Sequence, residues 1–133
     1  MKRILVAYDG GAPARHALDT AIELARRFEA SISIVSVIPV YPGRVPMDSW
    51  EEPDVHAAQL REARAILAEN GLEAELLEPS GDPAKAIERT VEAGGFDTVV
   101  LGSRGLGAIS RFLQGSVSEH VATHTHATVV IAR

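Results

Sequence analysis

Five short apolar runs separated by four stretches of helical period leave this chain few folds to choose from. Residues 3–8 form an apolar run closed by Asp9, Gly10 and Gly11, which reads as a buried strand ending in a tight loop. Over 12–28, Ala14, Ala17, Leu18, Ala21, Ile22, Ala25 and Phe28 recur at helical spacing, with Pro13 in the first turn. Residues 31–38 are rich in β-branched side chains and read as a second strand. The stretch 39–53 carries four prolines and the only tryptophan, Trp50, and reads as a long irregular loop. A second helix is expected over 54–70, with Leu60, Ala63 and Leu67 on one stripe and Gly71 at its stop. Residues 72–77 alternate and suit an edge strand. Asp82 then caps a third helix that opens on Pro83 and ends at Gly94 and Gly95. A fourth strand over 97–101, a helix over 117–124 and a last strand over 128–132 complete the chain. The pattern predicts one α/β domain over 1–133, a doubly wound, open, parallel five-stranded sheet with helices on both faces.

Composition narrows the function classes. A chain of 133 residues can bury roughly two-thirds of its unfolded surface as a single domain. It has no cysteine, which removes disulfides, thiolate metal sites and cysteine nucleophiles. The net charge of −5, with both signs interspersed, argues against a nucleic-acid partner. No apolar run approaches the about 20 residues of a membrane span, and Met1, Lys2 and Arg3 lead straight into a strand, so a cytoplasmic location is expected.

The chemistry concentrates after the fourth strand. Gly102, Ser103, Arg104 and Gly105 are followed by Gly115 and Ser116, a G-x2-G-x9-G-[ST] spacing that arises by chance on the order of 4 × 10⁻⁵ per start position. Strand, glycine-bearing loop and helix start, in that order, are how main-chain N–H groups are arranged to hold phosphate. Ser116 and Glu119 also match a capping box, a role that competes in part with ligand binding. Phosphate contact by Gly115, Ser116 and the N–H groups of Val117 and Ser118 is the favoured reading. If the first three strands wind one way and the last two the other, the strand order is 3-2-1-4-5, and the ligand crevice lies between the first and fourth strands. Asp9 then stands at the crevice floor, either forming a turn or bonding a ribose or base edge. Ala7, Tyr8 and Val37, near strand ends, are candidates to wall a base, and Arg104 and Arg111 are the cations beside the loop.

These residues resemble the universal stress protein family over essentially the whole chain. The resemblance lies in residues Ile4 to Gly10, in Gly81, Asp82, Pro83 and Ala84, in Gly102 to Gly105, and in Gly115 to Glu119. It implies the 3-2-1-4-5 sheet, the branch of that family that binds ATP, commonly with Mg²⁺, and a homodimer through the last strand, 128–132. Carried over by position, Ala7, Tyr8, Asp9 and Val37 surround adenine and ribose. Leu101, Gly102, Gly105, Gly115, Ser116, Val117 and Ser118 line ribose and phosphates. One departure is Gly11, where the family usually has a serine starting the first helix. Another is Tyr8, bulkier than the residues often found there.

The expected function is therefore nucleotide binding in stress response or signalling, with a protein partner that the sequence does not identify. No base faces Ser116 and no Walker lysine is present, so efficient catalysis is not expected. A slow ATPase or a self-phosphorylating protein using Ser116 or Ser118 is one alternative, and a ligase of the ATP pyrophosphatase type is another. An interaction module without nucleotide is the third. His120 and His124 share a helix face at i,i+4, but no H-E-x-x-H accompanies them, and with His126 they read as surface or interface histidines rather than a metal site.

Overall fold

The computed structural model of the protein describes residues 1–39, 52–102 and 116–133. Its elements in chain order are β1 (Arg3–Ala7), α1 (Ala12–Phe28), β2 (Ser31–Val35), β3 (Ile38–Pro39), α2 (Glu52–Glu69), β4 (Ala74–Leu77), β5 (Ser80–Gly81), α3 (Pro83–Gly94), β6 (Thr98–Gly102), α4 (Ser116–His124) and β7 (Thr128–Ala132). Five of the strands form one parallel sheet in the order β4-β2-β1-β6-β7. In the numbering of the five apolar runs this is 3-2-1-4-5, the expected doubly wound order, with β4 at one edge.

Strand parity divides the core in two. Ile4, Val6 and Tyr8 join Ile32, Ile34 and Val100 on one face, packed under Ala17, Leu18, Ala21 and Ala25 of α1 and Leu60, Ala63 and Leu67 of α2. Leu5, Val35, Val99 and Leu101 point to the other face, covered by Ile87 and Val91 of α3, Phe96, and Val121 of α4. Successive side chains of a strand leave it on opposite sides, so a continuously apolar strand buries both.

Two boundaries differ from the expectation. The run over 31–38 is two strands, because β2 stops at Val35 and β3 pairs with β5 in a separate two-stranded parallel sheet, Ile38 opposite Ser80 and Pro39 opposite Gly81. Pro79 lies between β4 and β5. It accepts from the Ile38 N–H at 2.9 Å but has no N–H to return, so the regular ladder is interrupted there. The last helix already includes Ser116, one residue ahead of the expected start near 117. The loop expected over 39–53 falls largely outside the described residues.

The remaining helix ends follow the residues predicted for them. Asp82 caps α3 by accepting from the Lys85 N–H at 3.1 Å, and Gly95 ends it in the left-handed conformation. α1 ends on Glu29, also left-handed at φ 53°, the one non-glycine residue with positive φ among the described residues. At the amino ends of the strands, the Asp97 carboxylate accepts from the Lys2 and Arg3 N–H groups and from the Thr98 hydroxyl. Its burial alone would raise its pKa, but these bonds and the chain amino group win and hold it below the usual 3.8.

Candidate crevice at the carboxyl ends of β1 and β6

β1 pairs with β2 on one side and with β6 on the other, Leu5 opposite Ser33 and opposite Val99. The chain leaves β1 through α1 toward β2, and leaves β6 through α4 toward β7. The order therefore reverses between β1 and β6, where an open α/β sheet has a crevice beyond its strand ends. Ala7 ends one of these strands and Gly102 the other.

Gly102 is where three elements meet. A Cβ there would lie 2.8 Å from the Pro13 carbonyl carbon, oxygen and Cβ, so only glycine lets the β6 end seat against the first turn of α1. Its carbonyl accepts from the Ser118 hydroxyl at 3.3 Å. The segment that leaves the sheet at Gly102 thus returns to it at Ser118, sixteen residues on, with the start of α4 beside the β6 end. A helix start carries N–H groups without intrahelical partners, and the helix dipole makes that end attractive to anions. Val117 packs against the cluster under α3 and α4.

The other expected site residues divide by what their side chains do. Ala7 and Val37 are partly buried against that same cluster, on one wall of the sheet. Leu101 is core on the same side, 3 % exposed. The Tyr8 side chain leaves the strand end on the opposite side from Ala7 and Leu101. By parity it shares the face of Ile4 and Val6, is 2 % exposed, and donates its phenol to Glu62 Oε1 at 2.7 Å. Burial, then the bond to Glu62 and that carboxylate's charge, push the phenol well above its ordinary 10.0, with Arg15 opposing. Asp9 is exposed, and its Oδ1 accepts from the Gly11 N–H at 2.9 Å. That bond serves the entry to α1, whose cap residue Gly11 has no side chain to do so. Ser103, Arg104, Gly105, Arg111 and Gly115 lie outside the described residues, as does the Ser116 side chain.

Two residues beside this crevice escaped the sequence reading. Gln59 and Glu62 sit one turn apart on α2, next to the buried stripe of Leu60 and Ala63, and both reach the end of β1. Their signal was faint: two long polar side chains flanking an apolar stripe look like any solvated helix edge.

The histidines stand elsewhere. His120 Nε2 lies 2.9 Å from Glu88 Oε2 across the seam of α3 and α4, and the His124 ring stacks on His120 with centroids 4.0 Å apart. Among the described residues no group of three or more His, Cys, Asp or Glu side chains is arranged to hold a metal ion. None of the described helices is long and apolar enough to cross a membrane.

Comparison with known proteins places this geometry. The family model described as the universal stress protein family matches residues 1–133. Universal stress protein YxiE of Bacillus subtilis is 30 % identical, the alignment covering 98 % of each chain. A solved protein of the same family from Burkholderia pseudomallei is 27 % identical, with a TM-score of 0.77 over 98 % of this chain and 94 % of its own. The universal stress protein of Archaeoglobus fulgidus, solved in complex with dAMP, shares the fold at 21 % identity, with a TM-score of 0.76 over 100 % of this chain and 98 % of its own. With a β1/β6 crevice flanked by Gly102 and the start of α4, and a family match from the first residue to the last, this chain belongs to the universal stress protein family.

Proposed function

We propose that the protein binds an adenine nucleotide, ATP with Mg²⁺, in the crevice between β1 and β6, and acts in stress signalling as a nucleotide-responsive homodimer. The observation that carries this reading is the Ser118–Gly102 bond. It holds the end of β6 and the first turn of α4 together beside the crevice, and in this reading main-chain N–H groups of the glycine-bearing segment join those at the start of α4 in holding phosphate. The net charge of −5 does not oppose it, because amide dipoles act locally while distant charges are screened over about 10 Å at ordinary salt. The Archaeoglobus protein with dAMP supports the reading in one respect, since it is a case of this fold holding an adenine nucleotide.

In this reading Gly115, Ser116, Val117 and Ser118 hold phosphate oxygens, with Gly102, Ser103, Arg104 and Gly105 opposite them. Ala7 and Val37 line the base, Leu101 backs it, Tyr8 contributes main chain, and Asp9 takes a ribose or base donor. Mg²⁺ would be held by phosphate oxygens and water and would neutralise the polyphosphate. The dimer uses β7, the sheet edge opposite β4, on which Ile131 is 39 % exposed. The cytoplasm, where ATP is abundant, is the matching location.

Thermal unfolding with and without ATP tests the assignment. Wild type gains about 2.7 kcal/mol of stability at a nucleotide concentration one hundred times Kd. Gly115→Val, with branched carbons where the phosphate must approach, keeps its fold and gains nothing. A Gly115→Val protein stabilised by ATP as much as wild type would contradict the assignment of the phosphate contacts.

A further inference from the structure

α4 is a short helix, nine residues long, and it meets the core through one stripe. Val121 is fully buried, and Val117, one turn before it, is partly buried against the same cluster. Two apolar side chains at i,i+4 fix the height of a helix above a sheet but leave it free to roll about the line that joins them. A roll of α4 matters because it re-aims the N–H groups of its first turn.

Polar contacts stand on both sides of that stripe. At about 100° per residue, Ser118 lies roughly 80° to one side of the Val117–Val121 line and His120 roughly 80° to the other. The Ser118 hydroxyl donates to the Gly102 carbonyl of β6 at 3.3 Å. His120 Nε2 lies 2.9 Å from Glu88 Oε2 of α3. A carboxylate only accepts, so Nε2 carries the proton of this bond. The two side chains are 27 % and 26 % exposed, more shielded than a surface pair. The His120 ring is propped in turn by His124, stacked on it at 4.0 Å between centroids. The Nδ1–H of His124 donates to the His120 carbonyl at 2.8 Å, which fixes the second ring against the first.

We propose that Glu88 and His120 are positioning residues for the start of α4. With Ser118 and Gly102 they form a two-sided mount that sets the roll of the helix, and hence the aim of the amides that meet phosphate. The inference rests on the nucleotide reading given above, and it adds α3 to a site otherwise built from strand ends and the α4 start.

One arm of the mount is titratable. Among the described residues, the charged groups about the His120 ring on α3 are Glu88 and, a turn to either side of it, Lys85 and Glu92. On α4 they are Glu119 and His124, with His126 exposed beyond the helix end. β7, which also packs on α4, carries no charged side chain from Thr128 to Ala132. A second charge on the stacked rings would stand 4.0 Å from the first, so the pair takes up one proton before two. That proton belongs on His120, the ring facing a carboxylate, where it turns a neutral bond into a charge-assisted one. The mount is therefore tighter in mild acid, and the gain is lost as pH rises through the range where histidines give up their charge.

Titrations of wild type, His120→Ala, His120→Gln and Glu88→Gln with ATP at two pH values, with circular dichroism to check folding, test the mount. His120→Ala removes one arm, and its affinity at about pH 8 falls about five- to tenfold, the weight of one hydrogen bond. His120→Gln offers an amide N–H to Glu88, and Glu88→Gln offers an amide oxygen to His120, so both stay within about twofold of wild type there. Between about pH 8 and about pH 6, wild type gains about threefold over both glutamine variants, while the phosphates of ATP titrate alike in all three. Unchanged affinity in folded His120→Ala would overturn the proposal. So would a His120→Gln as weak as His120→Ala, or a glutamine variant that follows the wild-type pH course. Glu88→Gln leaves α4 untouched and carries the test should His120→Ala not fold. The Gly102 amide resonance gives a reading without nucleotide: it shifts in His120→Ala and returns to its wild-type position in His120→Gln. A resonance that stays in place removes the mount. If it moves while wild type binds no ATP, the nucleotide reading fails and the mount stands.

Discussion

Gly102 and Tyr8 show how much a single residue decides here. Gly102 has glycine's usual freedom of backbone, yet what requires glycine is the Pro13 backbone 2.8 Å from where a Cβ would stand. Gly102→Ala is expected to push α1 off the end of β6 and to lose about 1–3 kcal/mol, as overpacked sites do. Urea unfolding measures this, and a neutral effect would show that the two elements can part without loss. Tyr8 makes a prediction with a sign in pH. Its phenol is raised above its ordinary 10.0 in the folded protein, so the stability it contributes is complete below that value and is lost as pH rises through the folded pKa. Tyr8→Phe should cost about 1 kcal/mol at neutral pH, for the bond to Glu62, and should flatten the fall of stability above about pH 10. Unfolding free energies of the two proteins across that range give the comparison.

At the scale of elements, the sequence was legible where one chemical signal acts alone. The caps of α3 are an example: Asp82 ahead of Pro83 and a terminal glycine pair mark both ends, and the structure ends the helix on Gly95 in the left-handed conformation. Asp82→Ala should lose about 0.5–2 kcal/mol, read by thermal or chemical unfolding, because the Lys85 N–H loses its acceptor. Legibility failed where a neighbour far along the chain decides. The run over 31–38 is evenly β-branched, and nothing in it marks the stop at Val35. The stop comes from Pro79, over forty positions away, which cannot donate to the ladder beside it. Tyr8 shows a different limit: its parity with Ile4 and Val6 is visible in the sequence, whereas its bond to Glu62 depends on where α2 lies. Gln59 was hidden because its partner surface, Gly10, becomes a surface only once α2 lies on α1 and β1.

For the whole molecule, alternation points to an open parallel sheet, because right-handed crossovers and two apolar faces admit few arrangements, while its 3-2-1-4-5 order needs the further premise of a reversal after the third strand, which the family resemblance also implies. What alternation does not specify is how the molecule meets a second copy. β7 closes one edge of the sheet with Ile131 exposed, whereas the opposite edge strand, β4, turns Glu75 to solvent, a charge of the kind that blocks edge-to-edge pairing. Ile131→Lys should therefore convert the proposed dimer to monomer in sedimentation equilibrium at micromolar protein, with the circular dichroism of the fold retained. A wild type that is monomeric at every concentration would remove β7 from the account.

The central claim is that main-chain N–H groups at the end of β6 and the start of α4 hold the phosphates of an adenine nucleotide beside Asp9. Calorimetric titration of the purified protein with ATP, repeated with AMP, tests it most directly. The account predicts saturable heat with one site per chain, and tighter binding of ATP than of AMP because the additional phosphates meet the same amides. Folded protein that evolves no heat of binding at millimolar ATP would contradict it.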